Sequence, residues 1–156
     1  MNQQTNYQKK SFPQDKKGKN KENKDLSALA NEAKKKFLNN SDESVFDDLL
    51  NLQKSQQIDK IFTHIEKYVK HYTVSVTTTQ LRNIYNEIVK IESIGDLKLI
   101  RPHLAYVAAR QEKDEAKEFM TFIDLLIQKV NTNDELDSFK KTMEAIVAYH
   151  KFYAKN

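Results

Sequence analysis

The 156-residue sequence contains no cysteine and no tryptophan, and it has only two glycines and two prolines. The absence of cysteine excludes disulfides and thiolate metal sites. So few glycines and prolines leave little material for β-hairpin turns, while the residues of the periodic stretches favour helices. With 38% apolar residues, the chain can bury one sizeable core. The composition therefore predicts an all-α, compact helical bundle.

Long apolar runs are missing as well. The amino terminus is polar and rich in lysine, and it lacks the apolar core of a signal peptide. No stretch approaches the roughly 20 apolar residues that span a bilayer. We therefore expect a cytoplasmic protein with no membrane partner.

Positive charge is concentrated in the first quarter of the chain. The formal net charge is +4. Residues 1–36 hold ten lysines against four acidic residues, a local balance of +6. The remaining residues hold 16 basic and 18 acidic side chains, a balance of −2. If this remaining part binds RNA, it must use a local basic strip, because its overall charge weakly opposes a polyanion.

Composition divides the chain into three segments. Residues 1–24 are polar, without apolar periodicity, and predict a disordered, lysine-rich arm. Whether this arm only solubilises the chain or contacts RNA or a partner stays open. Residues 25–40 predict a weakly anchored amphipathic helix with Asp25 as its N-cap. Residues 41–156 predict the main helical domain.

The helical spacing of apolar residues predicts a series of helical segments. The predicted segments are 25–39, a short helix from Ser41 or Asp42 to Leu52, 58–72, 77 to near Gly95, 97–111, 116–130 and 139–153. Pro102 fits its helix only in the first turn or at a kink. We expect residues 73–76 to form an extended connector and Asp134 to help cap the last helix.

The predicted last helix is apolar over more than half of its circumference. Its two apolar stripes consist of Phe139, Met143, Ile146, Val147 and His150, and of Ala145, Tyr149 and Phe152. Such a helix must be buried against several neighbours, either as the centre of the domain or as part of a subunit contact. The remaining strip is basic, and it makes Lys140 and Lys151 candidate contacts for a nucleic acid.

No motif in the sequence indicates catalysis. The four histidines are His64, His71, His103 and His150, and none is spaced with acidic residues as in a metal site. There is no glycine-rich phosphate loop and no serine nucleophile elbow. We therefore predict no catalytic residues, no metal site and no cofactor.

Arginine is scarce, with three residues among 26 basic ones. Its planar guanidinium group suits phosphate better than a lysine ammonium does. Arg82 follows Thr78 and Thr79 at a predicted helix start, where unpaired N–H groups favour an anion. Asn86 and Lys90, at i+4 and i+8, extend the same face. This strip is a candidate for contacts along a phosphate backbone, and the alternative is an ordinary exposed helix face.

A second candidate cluster lies on the predicted helix 97–111. His103 comes three residues before Tyr106, and Arg110 comes four residues after Tyr106. The three side chains therefore share one side of the helix. An aromatic ring beside a guanidinium group can stack a base and bind a phosphate. The alternative is a cation–π or ion pair inside the bundle. Arg101 is a weaker candidate on the same helix.

Three segments, in this order, resemble one known family. They are residues 77–82 (TTTQLR), with a threonine-rich helix start and an arginine, residues 104–110 (LAYVAAR), with a tyrosine and an arginine, and residues 144–153 (EAIVAYHKFY). Their order and rough spacing are similar to those of the small subunit of type III-A CRISPR effector complexes, the Csm-type small subunit.

The resemblance implies a non-catalytic subunit, a compact bundle of about five main helices, that serves antiviral defence. In such complexes, several small subunits stack as an inner filament beside the backbone subunits that hold the guide RNA. The implied partners are guide RNA and complementary target RNA, the backbone and large effector subunits, and neighbouring copies of the chain. Contacts to the sugar-phosphate backbone are expected, because base pairing performs the sequence selection. Arg82 and Arg110 lie inside the matching segments.

Two other classes of function stay open. A helical adaptor or DNA-binding module would use the helix that begins at residue 77, and the isolated chain would then bind duplex DNA tightly. A metal-independent ribonuclease would use His103 with Arg110, and its RNA cleavage would disappear in His103→Ala.

Overall fold

A computed structural model describes residues 24–155 of the chain. This part contains eight α-helices, two short 3-10 helices and no β-strand, so the predicted all-α class is confirmed. The α-helices are α1 (Leu26–Leu38), α2 (Ser44–Asp47), α3 (Ile58–Tyr72), α4 (Thr78–Val89), α5 (Ile94–Leu99), α6 (Arg101–Ala109), α7 (Asp114–Lys129) and α8 (Asn133–Tyr153). Five of them have 12 or more residues, in agreement with the predicted number of main helices. None of these helices combines the length and the apolar character that a membrane crossing requires.

The last helix, α8, is in contact with several other elements of the bundle. It packs against α3, α4 and the two 3-10 helices, Asp48–Leu50 and Leu52–Lys54. Phe139, Met143 and Ile146 of its first apolar stripe are buried. The second stripe is partly buried except for Phe152, which is exposed. Packing against these four elements accounts for much of the apolar surface of this helix.

The start of α8 differs from the prediction. The helix begins at Asn133, six residues before the predicted start, because the Thr132 hydroxyl accepts a hydrogen bond from the Glu135 N–H at 3.1 Å. Such a bond satisfies one of the N–H groups that a helix start leaves unpaired. The prediction that Asp134 helps cap the helix was wrong, since this residue lies inside the first turn.

The first helix, α1, packs mainly against α7. Its predicted cap is confirmed, because the Asp25 carboxylate accepts a hydrogen bond from the Ala28 N–H at 2.8 Å. The helix was expected to be weakly anchored, yet Ala30, Ala33 and Phe37 are buried in the common core. The boundary drawn between residues 40 and 41 remains a prediction. Residues 1–23 of the predicted disordered arm lie outside the described residues.

The predicted helix 97–111 is divided around Pro102. Helix α5 ends at Leu99 and α6 begins at Arg101, which places Pro102 in the first turn, where proline needs no N–H partner. The predicted end of the preceding helix near Gly95 was wrong. Helix α4 ends at Val89, and Gly95 lies in α5, whose start is fixed by a hydrogen bond from the Asp96 N–H to the Ser93 hydroxyl at 3.1 Å.

Two shorter segments also differ from the predictions. Residues 73–76 connect α3 to α4 as expected, but they form a turn and not an extended segment. The N–H groups of Ser75 and Val76 both donate to the Tyr72 carbonyl at 3.0 Å. The predicted short helix up to Leu52 is divided into α2 and the two 3-10 helices. The Asp42 carboxylate, one of its predicted caps, accepts a hydrogen bond from the Ser44 N–H at 2.8 Å.

Candidate nucleic-acid interface

The predicted arginine strip lies on the outer face of α4. The helix starts with a capping box, in which the Thr77 hydroxyl accepts from the Gln80 N–H and the Gln80 side-chain oxygen accepts from the Thr77 N–H, both at 3.1 Å. The apolar face is buried through Leu81, Ile84 and Ile88. The opposite face therefore points to solvent, and its exposed residues include Thr79, Arg82, Asn86 and Lys90.

A groove of about 680 Å³ separates α4 from α6. We call it the α4–α6 groove. Its polar lining consists of Gln80, Asn83, Asn86 and Glu87 from the α4 side, and of His103, Tyr106, Arg110 and Gln111 from the α6 side. The structure thus brings part of the predicted strip, Asn86, next to the predicted cluster of His103, Tyr106 and Arg110. Arg82 lies on α4 outside this lining.

Tyr106 and Arg110 form a cation–π pair at the surface. The guanidinium carbon lies 5.6 Å from the centre of the tyrosine ring. The tyrosine is 60% exposed, and Arg110 is exposed too. The pair therefore forms on α6, as the spacing predicted, but it faces solvent instead of the interior of the bundle. Both side chains are accessible to a ligand.

The three arginines differ in their electrostatic environment. Arg101 donates a hydrogen bond from Nε to the Asp124 carboxylate of α7 at 2.9 Å, and it lines a separate groove beside α7. Among residues 24–155, neither Arg82 nor Arg110 has a carboxylate partner at ion-pair distance. The guanidinium groups of Arg82 and Arg110 are therefore available to a phosphate, whereas that of Arg101 is already paired.

Glu87 is a groove residue to which no sequence pattern pointed. Its carboxylate lies 3.1 Å from Nδ1 of His103, and each side chain is about half exposed. The two residues belong to different helices, so no spacing within either helix could indicate the pair. The amides Gln80, Asn83 and Gln111 were also missed, although Asn83 is only three residues from Asn86. The described residues contain no group of three or more histidine, cysteine, aspartate or glutamate side chains placed to hold a metal ion.

The remaining predicted residues lie away from the groove. Lys140 and Lys151 are on α8, where Lys140 is partly buried and Lys151 is exposed. Neither lines the α4–α6 groove. Thr78, in the first turn of α4, is partly buried, and its hydroxyl lies 3.3 Å from Nδ1 of His150. Its side chain is therefore directed at α8 and not at solvent.

His150 joins α8 to the beginning of α4. Its Nε2 donates a hydrogen bond to the Val76 carbonyl at 2.7 Å, and its Nδ1 accepts from the Thr78 hydroxyl. Because a carbonyl oxygen can only accept, the neutral ring carries its proton on Nε2. Burial lowers the pKa of His150, since a charged imidazolium would lose its hydration in this position.

Acidification is expected to destabilise the fold through His150. In the unfolded chain a histidine binds its proton near pH 6.5, whereas the pKa of His150 in the folded chain is lower. Below about pH 6.5 the unfolded state therefore binds more protons, and the free energy of unfolding falls as the pH falls. Urea denaturation on either side of this pH measures the effect. His150→Gln should flatten the pH dependence, and an unchanged pH dependence in this variant would contradict the assignment.

One comparison with known proteins covers the candidate interface. A protein-family model described as Csm2 Type III-A matches residues 53–156, which is more than half of the chain. The matched range includes α3 to α8 and therefore the whole α4–α6 groove, whereas α1 and α2 precede it. No curated protein and no solved structure matches the chain.

Proposed function

The chain belongs to the Csm2 family, the small subunits of type III-A CRISPR effector complexes, and from this premise we propose that it binds the RNA of the effector. The contact surface consists of the outer face of α4 and the α4–α6 groove. The ligand is the sugar-phosphate backbone of the guide RNA and of the target RNA paired with it, within antiviral defence. The chain itself performs no chemistry.

The proposal rests on two arginines whose guanidinium groups are available to bind phosphate. Arg82 and Arg110 are exposed and have no acidic partner among residues 24–155, while Arg101 is paired with Asp124. A guanidinium group donates two parallel hydrogen bonds to phosphate oxygens, which makes an unpaired arginine better suited to this contact than a lysine. Asn86 and Lys90 continue the line of donors along α4. These contacts hold an RNA backbone in place without selecting its sequence.

Weak binding by each copy fits the charge distribution. Beyond residue 36, acidic residues outnumber basic ones by two, so long-range attraction of RNA is small. Several copies stacked along the same RNA would add their contacts, because each further contact becomes intramolecular. We include this stacking and the contacts with the backbone and large subunits in the proposal.

Exposed apolar side chains support contacts between subunits. Val74 is 82% exposed and Phe152 is 79% exposed. They belong to elements that are in contact, because His150 of α8, the helix of Phe152, is hydrogen-bonded to the connector that carries Val74. Exposed aromatic and aliphatic groups of this kind are typical of surfaces that a neighbouring subunit covers.

We expect the isolated full-length chain to bind single-stranded RNA weakly, with a strong dependence on salt and little dependence on sequence. Fluorescence anisotropy with two unrelated RNAs should give affinities that agree within about threefold, since phosphate contacts carry no sequence information. Duplex DNA should bind no more tightly than RNA. The RNA recovered after the titration should be intact.

Two results would favour the other classes of function. Markedly tighter binding of duplex DNA would indicate a DNA-binding module. Shortened RNA would indicate a ribonuclease, and His103→Ala would identify the acid–base residue, because His103 and Glu87 form a pair beside Arg110 in the groove. A His103→Ala variant that binds RNA like the wild type but does not cleave it would then show that the chain is a ribonuclease, contrary to the proposed function.

A further inference from the structure

The α4–α6 groove is lined by uncharged polar and aromatic side chains in addition to charged ones. Four amide side chains line it, together with the exposed ring of Tyr106. A surface that only neutralises phosphate needs basic side chains, whereas amides and an aromatic ring are the groups that bind nucleobases. Its volume of about 680 Å³ also falls in the usual range of small-ligand pockets.

Two of these amides are fixed in orientation by hydrogen bonds to the backbone. The side-chain oxygen of Gln80 accepts from the Thr77 N–H at 3.1 Å, and the side-chain nitrogen of Gln111 donates to the Val107 carbonyl at 3.0 Å. A backbone N–H only donates and a carbonyl only accepts, so neither amide can be turned around. Gln80 keeps its whole NH₂ group, and Gln111 keeps its oxygen and the second N–H of its amide. Donors and an acceptor, all oriented by the backbone, therefore belong to the same groove.

The charges of the groove are separated along α6. His103, which is paired with Glu87, and Arg110 are seven residues apart, about 10 Å along a helix axis. The carboxylate of Glu87 repels a phosphate at one end, and the guanidinium group of Arg110 attracts it at the other. Tyr106 lies between the two ends. This order places a phosphate beside Arg110 and leaves the face of the tyrosine ring that Arg110 does not cover for an uncharged, planar group.

We propose that the α4–α6 groove binds a single unpaired nucleotide, with its base stacked on Tyr106, its base edge hydrogen-bonded by the amides and its phosphate beside Arg110. This inference deepens the proposed function and rests on it for the source of the nucleotide, an unpaired position in the bound RNA. The groove thereby contacts a base as well as the backbone. Stacking on an aromatic ring accepts any base, and the hydrogen bonds of the amides discriminate among bases by only about threefold at this one position.

Nucleoside 5′-monophosphates are the probes that test this site, with ribose 5-phosphate as the matched ligand that lacks a base. Both are titrated into the full-length chain, and binding is followed by NMR shifts of the backbone amides. We expect the nucleotides to bind at least about fivefold more tightly than ribose 5-phosphate, because stacking of one base accounts for that much or more. Equal affinities of the two ligands would overturn the proposal.

Variants of groove residues distinguish a loss of base stacking from a loss of the folded structure. Tyr106→Phe keeps the ring and should bind the nucleotides within about twofold of the wild type, while Tyr106→Ala should bind them no better than ribose 5-phosphate. Tyr106 is largely exposed, so neither change should unfold the chain. Gln111→Met, which keeps the size of the side chain, should weaken nucleotide binding by about threefold. Nucleotide binding at wild-type strength in Tyr106→Ala would also overturn the proposal.

Arg82→Ala distinguishes a failure of the nucleotide site from a failure of the proposed function. Arg82 does not line the groove, so this variant should bind nucleotides like the wild type while its contact with RNA phosphates is lost. If nucleotides bind but Arg82→Ala leaves RNA binding unchanged, the nucleotide site stands and the proposed backbone contact of Arg82 fails. If Arg82→Ala weakens RNA binding but nucleotides bind no better than ribose 5-phosphate, the nucleotide site alone fails.

Discussion

Replacing Phe37 with alanine is expected to lower the free energy of unfolding by about 3–4 kcal/mol. The side chain is 2% exposed. Its ring centre lies 6.2 Å from that of Phe46, 5.7 Å from that of Tyr68 and 5.3 Å from that of Phe122. Truncation would leave a cavity among rings held by α2, α3 and α7, and large aromatic neighbours cannot move to fill it.

Urea denaturation of the full-length chain measures this effect. Leu26→Ala is the matched control on the same helix, because Leu26 is 50% exposed and its truncation should change the stability by less than about 1 kcal/mol. A Phe37→Ala variant that unfolds like the wild type would mean that α1 does not belong to the cooperative unit. The boundary predicted between residues 40 and 41 would then be a real domain boundary.

A polar network also ties α1 to the rest of the bundle. The Lys36 ammonium group donates to the buried Glu118 carboxylate of α7 at 2.7 Å, and the Tyr72 hydroxyl of α3 donates to the same carboxylate at 3.2 Å. Burial raises the pKa of Tyr72 above its usual value, so the phenol stays protonated and able to donate. Three helices therefore meet at one carboxylate. The weak apolar pattern of residues 25–40 gave no indication of this contact, because Lys36 and Glu118 are far apart in the sequence.

The fold class and most helices could be predicted from the sequence because both depend on local patterns. The apolar period of α3 and α7, the Asp25 cap and the threonine-rich start of α4 all involve residues within a few positions of one another. Several of the errors lie at helix ends. The predictions for Gly95 and Asp134 were wrong because the side chains of Ser93 and Thr132 cap α5 and α8 and fix their starts. The apolar pattern indicates only the helix interiors.

The candidate site could be predicted only in part, for a related reason. The clustering of Tyr106 and Arg110 follows from their spacing on one helix. By contrast, the pairing of Arg101 with Asp124 and of His103 with Glu87 depends on how α6 packs against its neighbours. No pattern within one helix distinguishes a paired arginine from an unpaired one. The sequence therefore predicted three candidate arginines, and the packing leaves two of them available.

The double variant Arg82→Ala/Arg110→Ala is expected to weaken target-RNA binding by the assembled effector by about tenfold or more. Each lost guanidinium group removes charge-assisted hydrogen bonds to phosphate, which are worth about 1.5–3 kcal/mol in favourable geometry. Both side chains are exposed, so the fold should be retained. Because the effector contains several copies under our proposal, the losses add along the RNA.

A charge-matched control separates these contacts from a general loss of positive charge. Lys54→Ala/Lys141→Ala also removes two exposed cations, and neither residue lines the α4–α6 groove. We expect this control to bind target RNA with nearly the affinity of the wild type. Equal weakening in both double variants would indicate that only the net charge matters.

The dependence of target-RNA affinity on salt reports how many phosphate contacts the two arginines make. For the effector assembled with Arg82→Ala/Arg110→Ala, we predict that the slope of log affinity against log salt becomes shallower by roughly 0.7 for each lost contact to a single strand, or roughly 0.9 if the bound RNA behaves as a duplex. The lysine control should keep the wild-type slope. A slope in the arginine variant equal to that of the wild type would contradict the proposal that these two side chains contact the RNA backbone.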